Sequence, residues 1–252
     1  MKEITSTKNP LIKELKKLHK KKHRIETNSY LIEGEHLVEE AFTYQAEIIS
    51  LLVTKDSYQD YHYLTEQVSD DSLYVVTDDV LKVVSSLPTP QGIIAVIRKT
   101  EVVKNQQLGR MLLLDRVQDP GNVGTMIRTA DAAGFTHVIL GEGCADIYQS
   151  KVLRAMQGSQ YHLTLEEANL TDFILKLKEE NYQVYGTELN EEAIDYREIE
   201  STDKLAIIMG NEGQGVAQEL LELTDKNLYI PIKGKAESLN VAIAAGIIMF
   251  SL

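Results

Sequence analysis

The sequence contains little that would suit an oxidising compartment, a membrane or a metal centre. It has one cysteine, Cys144, so neither an intrachain disulfide nor a cysteine-based metal cluster can form within the chain. It has no apolar run long enough to cross a bilayer: the longest, Val241–Phe250, falls well short of the roughly 20 residues needed. The opening stretch MKEITSTKNPLIKELKK lacks the apolar core of a signal peptide. No H-E-x-x-H metal motif, no internal repeat and no low-complexity tract occurs. These absences lead us to expect a soluble cytoplasmic protein without metal or membrane partners.

Positive charge is also scarce, with 26 Lys and Arg against 38 Asp and Glu and a net charge of −12. That average argues against a polyanionic partner, because phosphate binding draws on clustered Lys and Arg. Its distribution argues the other way. Residues 1–24 hold nine basic residues (Lys2, Lys8, Lys13, Lys16, Lys17, Lys20, Lys21, Lys22 and Arg24) and two acidic ones (Glu3 and Glu14), a net of +7 that leaves −19 for the remainder. Such asymmetry is expected of a basic element that contacts nucleic acid while the bulk stays soluble, although a solvated helix face would look the same.

What is present is an ordinary globular composition, 43% hydrophobic and 25% charged over 252 residues, enough for two modest domains. NPLIKELKKLHKKKHR reads as a basic amphipathic helix with Asn9 as cap and Pro10 in the first turn. SYLIEGEHLVEEAF suggests a strand turning at Gly34 into a helix, and IISLLVT, LYVVT and QGIIAVI are strand-like. This makes a small α/β domain over residues 1–103, with a polar boundary near residues 100–106. From residue 107 to 252, MLLLD, HVILG, YQVYGT, LAIIMG and NLYIPI alternate with helical segments, the pattern of a parallel sheet covered on both faces.

Three loops in this second part stand out. In DRVQDPGNVGTMIRTADAAG we expect a helix over Val123–Ala133, capped by Asn122 and closed by Gly134, with Arg128 in its second turn. An ion pair with Asp131 would give Arg128 a purely structural role. MGNEGQGV places three glycines and Glu212 at the end of an apolar strand, where ligands of open α/β sheets bind. IPIKGKAESLNVAIAAGIIMF places Ser238 as the cap of a helix apolar almost all round, expected to be buried with Asn240 as its one polar side chain.

In this order and spacing the three blocks, Asn122–Ala130, Ile208–Gly215 and Ile230–Gly246, resemble the signature motifs of the SpoU or TrmH family of RNA 2'-O-ribose methyltransferases. The first hundred residues resemble the L30e-like substrate-binding domain that some members carry. The resemblance implies an α/β SPOUT domain closed by a deep trefoil knot, S-adenosylmethionine as cofactor, RNA as substrate with ribosomal RNA favoured over transfer RNA, and a homodimer. The knot rests on resemblance alone, since connections do not ordinarily thread loops.

The family pattern implies Arg128 as the principal catalytic residue, with Asn122 and Glu212 positioning it and Ser238 and Asn240 at the hydroxyl or phosphate. It assigns the cofactor to Thr187, Gly210, Asn211, Gly213, Ile230 and Leu239. A guanidinium stays protonated whenever the protein is folded, so Arg128 is expected to bind phosphate and stabilise charge on the 2'-oxygen rather than act as a base. Where many relatives have a serine-containing run of small residues, this chain has RAMQGSQYHL. Two rival readings remain at this point: a non-catalytic RNA-binding protein, and a nicotinamide-dependent dehydrogenase, the latter weakened by the lack of G-x-G-x-x-G after an early strand.

Overall fold

Alternating strands and helices build two sheets, one in each of two compact units. The structure, a computed structural model, describes residues 1–99 and 109–252. The sequence-expected domain boundary near residues 100–106 therefore lies outside the described residues. By their contacts the described residues form two units, 1–99 with Tyr148–Tyr161 and 109–147 with His162–Leu252.

The first unit contains β1 (Lys2–Ile4), α1 (Pro10–Lys17), α2 (Lys21–Thr27), β2 (Ser29–Glu33), α3 (Glu35–Thr43), β3 (Ile48–Thr54), α4 (His62–Thr65), β4 (Leu73–Val76), α5 (Asp78–Val84) and β5 (Ile93–Arg98). Its sheet runs β1-β4-β3-β5-β2, with β1, β4 and β3 parallel and β5 antiparallel to both β3 and β2. Gly34 turns from β2 into α3 at φ +99°, a left-handed conformation that glycine adopts without strain.

The expected basic helix is two helices. Asn9 does cap α1, its side chain accepting from Leu11 N at 2.9 Å, but the chain breaks between Lys17 and Lys21. Ile12, Leu15 and Leu18 are buried in the core together with Ile4. Arg24 is 3% exposed and donates to Leu18 O at 2.7 Å. One of the nine basic residues is thus an internal strut, and the exposed charge is lysine.

The second unit holds β6 (Met111–Leu114), α6 (Pro120–Ala132), β7 (His137–Leu140), β8 (Thr164–Glu167), α8 (Leu170–Glu179), β9 (Gln183–Thr187), β10 (Ile194–Asp195), β11 (Leu205–Met209), α9 (Gln218–Leu221), β12 (Lys226–Tyr229) and α10 (Val241–Met249). Here α7 is Ser150–Met156, which groups with the first unit. The seven strands run β10-β12-β9-β11-β6-β7-β8, every pair parallel. Strands β6, β7 and β11 are buried along their whole length, as both-face coverage requires.

Register decides which loops meet. Leu114 of β6 lies opposite Met209 of β11, and Asp115 N donates to Met209 O at 2.8 Å. The loops after β6 and β11 therefore leave the sheet side by side. Leu228 of β12 pairs with Thr187 of β9, placing a third loop at the same carboxyl edge. After β12 the chain crosses this edge to α10, which packs on α6. A Cβ on Gly246 would sit 3.5 Å from the Thr129 side chain.

Candidate active site

The helix bearing Arg128 begins earlier than its sequence indicates. Asp119, not Asn122, caps α6 by accepting from Asn122 N at 3.0 Å, with Pro120 in the first turn. This moves Arg128 to the third turn and frees the Asn122 side chain. Similarly Asn240, not Ser238, caps α10: its Oδ1 accepts from Ala242 N at 2.9 Å and Ile243 N at 3.3 Å. Asn240 is exposed, which corrects the expectation of a buried amide. Its helix is not buried all round either, since Ile243 is 58% and Phe250 65% exposed.

Those two corrections join the three blocks. Glu212 Oε1 accepts from Asn122 Nδ2 at 3.1 Å and Asp119 N at 3.1 Å, while Oε2 accepts from Gln118 N at 3.3 Å. Asn122 Oδ1 accepts from Asn240 Nδ2 at 3.0 Å. The orientation of every amide follows from its neighbours. A carboxylate only accepts, so Asn122 turns its NH2 to Glu212 and its oxygen to Asn240, which must then donate and use its own oxygen for the amides of α10. Partial burial of Glu212 raises its pKa, but the Asn122 side chain and the backbone N–H groups of Glu212, Asp119 and Gln118 outweigh it and hold the carboxyl below its usual range.

A second set of bonds fixes the loop that carries Glu212. Asn211 Oδ1 accepts from Gly213 N and Gln214 N, each at 3.0 Å, and its Nδ2 donates to Arg116 O at 2.9 Å. Asn211 and Gly215 also exchange backbone bonds of 3.0 and 2.9 Å. A Cβ on Gly210 would come within 2.1 Å of Gly215 C and Val216 N, so that glycine is required by the loop's own return.

Sequence reasoning missed Asp115 and Arg116. Asp115 is 5% exposed; it accepts from Ala217 N at 2.8 Å and binds both Nε and Nη2 of Arg116 at 3.0 Å. The Asp115 carboxylate raises the Arg116 pKa, and Arg116 passes the tie on to Gln214 Oε1 at 3.1 Å. The one visible signal was an acid and a base in sequence at the end of the first strand of the sheet.

Beside this loop lies a cleft of about 780 Å³ at the carboxyl ends of β9, β11 and β12, within the usual range for small-molecule sites. All six residues singled out for the cofactor line it: Thr187, Gly210, Asn211, Gly213, Ile230 and Leu239. Glu212 and Ser238 line it too; Asn122, Arg128 and Asn240 do not. Arg128 is exposed. Among the described residues it makes no hydrogen bond or ion pair, and Asp131, its candidate structural partner, instead holds His162 Nδ1 at 2.6 Å. The cleft suits an adenosyl sulfonium compound: Leu228, Ile230, Leu239, Val241 and Ile248 offer apolar surface for a ring, and the charged side chains that line it, Glu188, Glu212 and Glu237, are all acidic.

Cys144 is half-buried and held as a neutral thiol. Burial pushes its thiol up to about 11, and it donates to Leu114 O at 3.2 Å. Among the described residues no cluster of three or more His, Cys, Asp or Glu could hold a metal ion, and no helix is long and apolar enough to cross a membrane.

Residues 109–250 match the SpoU rRNA Methylase family. The chain belongs to that family. Residues 9–95 match an MRM3-like substrate binding domain, in line with the substrate-binding role expected of the first unit. This SpoU member is 46% identical over 252 residues to the Bacillus subtilis protein named 23S rRNA (guanosine(2553)-2'-O)-methyltransferase RlmP, covering 100% of this chain and 99% of that protein. It is 34% identical to a Synechocystis protein named as an uncharacterized tRNA/rRNA methyltransferase, covering 98% of this chain and 92% of that one. The crystal structure of an AdoMet-bound rRNA methyltransferase from Sinorhizobium meliloti superposes with a TM-score of 0.88 at 34% identity, covering 99% of this chain and 96% of that one.

The expected reaction class, cofactor and α/β architecture therefore stand: this SpoU member is an S-adenosylmethionine-dependent RNA ribose 2'-O-methyltransferase. The dehydrogenase and non-catalytic readings are set aside.

Proposed function

We propose that this chain methylates the ribose 2'-hydroxyl of a guanosine in 23S rRNA. The observation that carries the substrate is the match to the Bacillus subtilis 23S rRNA enzyme, which runs through the substrate-binding unit as well as the methylase unit. Exposed Lys13, Lys16 and Lys20 on and beside α1 supply the positive surface that an RNA backbone requires in a protein of net charge −12.

A ribose hydroxyl is a poor nucleophile at neutral pH, so the protein must align it and favour its developing negative charge. S-adenosylmethionine supplies a methyl group already activated by its sulfonium. Arg128, exposed on α6 with none of its donors engaged among the described residues, binds the phosphate beside the target ribose and stabilises the 2'-oxygen as its proton passes to phosphate or water. Asn122, Glu212 and Asn240 set the position of α6 against the cofactor loop, and Ser238, exposed on the cleft wall, contacts the acceptor. Thr187, Gly210, Asn211, Gly213, Ile230 and Leu239 hold the cofactor, largely through backbone groups because the Asn211 side chain serves its own loop and the two glycines have no side chain to offer.

The reading extends to assembly. The crossing of the chain from β12 past β9 and β11 to α6 supports a knot around the cofactor cleft, and the exposed Ile243 and Phe250 on α10 support a homodimer packed through that helix. We place the enzyme in the cytoplasm with its substrate, and take residues 1–103 and 107–252 as its substrate-binding and catalytic domains.

Mapping 2'-O-methyl groups in ribosomal and transfer RNA from cells with and without the protein tests the substrate. The expected result is loss of one 2'-O-methylguanosine from 23S rRNA, restored by the wild-type protein and not by Arg128→Ala. Loss confined to transfer RNA would overturn the ribosomal assignment.

A further inference from the structure

The cleft that lodges the cofactor has an unusual charge for a site at the edge of an RNA enzyme. Its lining includes Glu188, Glu212 and Glu237 and no Lys or Arg. The three acids come from different elements: Glu188 follows β9, with its backbone N–H tied to Leu228 O at 3.1 Å; Glu212 sits in the loop after β11; Glu237 precedes the cap of α10. Glu212 is held ionised by the donors from Asn122 and the start of α6. Glu188 accepts a bond from Asn190 Nδ2 at 2.5 Å, and Glu237 lies on the exposed rim.

Methyl transfer changes the charge of what this cleft holds. The S–CH3 bond breaks as the O–CH3 bond forms, the hydroxyl proton leaves to phosphate or water, and the sulfonium becomes a neutral thioether. The amino-acid end keeps its zwitterion, so cofactor and product differ by one methyl group and one positive charge. One methyl in an apolar pocket discriminates weakly, whereas a unit charge facing carboxylates at reduced dielectric is felt more strongly.

We propose that Glu188 and Glu237, together with Glu212, set the cleft's preference for the sulfonium cofactor over its neutral demethylated product, and so favour exchange of product for fresh cofactor after each turnover. The inference rests on the placement of the cofactor in this cleft. Glu212 is bound into the hydrogen-bonded chain with Asn122, so Glu188 and Glu237 are the two whose charge can be removed without dismantling the site.

The test is calorimetric titration of the full-length wild type and the Glu188→Gln/Glu237→Gln double variant with three ligands: S-adenosylmethionine, S-adenosylhomocysteine and sinefungin, which carries an amine where the methylsulfonium would be. The two cationic ligands should weaken about tenfold in the double variant, as expected for two lost charge contacts in a partly wetted site, while S-adenosylhomocysteine changes less than about twofold. The cationic preference of the wild type should shrink as salt is raised. Equal weakening of all three ligands, or no change in any, overturns the proposal. Failure of the wild type to bind any of the three removes the cofactor placement itself.

Discussion

The two ends of α6 are built to opposite specifications. At its first turn Asn122 has both ends of its amide engaged, by Glu212 and Asn240, and the neighbouring N–H groups of Gln118 and Asp119 are taken by the same carboxylate. Two turns on, Arg128 is exposed and, among the described residues, bonded to nothing. The satisfied end joins three segments distant in sequence and so fixes geometry. The open end keeps five donors available for a partner from outside the chain. A polar residue that closes a network is part of the scaffold, and one that the fold leaves unused is available for chemistry.

The largest effect should come from the open end. Arg128→Ala is expected to slow methyl transfer by about a hundredfold or more, the scale of losing a donor aimed at developing charge; single-turnover assays at saturating cofactor and RNA check this, and retention of more than a tenth of the rate would undo the assignment. Next comes Asn122→Asp, which sets a second carboxylate against Glu212 and removes its donor. We expect a loss of about 1–3 kcal/mol in stability, measured by urea unfolding at neutral pH.

Replacing Lys13, Lys16 and Lys20 together with glutamine leaves both ends of α6 intact and should weaken RNA binding alone. Each lost phosphate contact lowers the log–log salt slope by about 0.7–0.9, and an unchanged slope would place the RNA footprint elsewhere. Point substitutions are the suitable perturbation, because residues 1–24 also supply Ile4, Ile12, Leu15 and Leu18 to the core.

The smallest effect is in pH. Because the folded state holds the Glu212 carboxyl below its usual range, its contribution is present above the unfolded pKa and lost as pH falls through the folded value. The stability gap between wild type and Glu212→Gln should narrow as pH drops below the usual glutamate range, and a gap that widens on acidification would contradict the bonding described.

Much of this was legible in the sequence, and the rest was hidden for identifiable reasons. Strands β6, β7, β9, β11 and β12 read as apolar runs because a parallel sheet buries both faces. Strand β8 did not, since Thr164–Glu167 is a half-exposed edge, and β10 is only Ile194–Asp195. The start of α6 was misplaced because Asp119 and Asn122 are equally good caps three residues apart; Pro120, at home in a first turn, was the clue that favoured Asp119. Ser238 and Asn240 posed the same ambiguity. The candidate residues were found by pattern, but their bonding was not, because the Glu212–Asn122–Asn240 chain spans loops brought together only by the register of β6, β11 and β12. Nor could the sequence foresee that α10, apolar throughout, would leave Ile243 and Phe250 exposed.

The contrast between the two ends of α6 is tested most directly by measuring S-adenosylmethionine affinity of Arg128→Ala and Asn122→Ala side by side by calorimetry. If Asn122 shapes the site and Arg128 acts on the acceptor, Arg128→Ala binds the cofactor within about twofold of wild type, while Asn122→Ala, which leaves Glu212 short of a donor and its loop less fixed, binds about tenfold more weakly. Equal losses in the two variants, or a loss confined to Arg128→Ala, would contradict it.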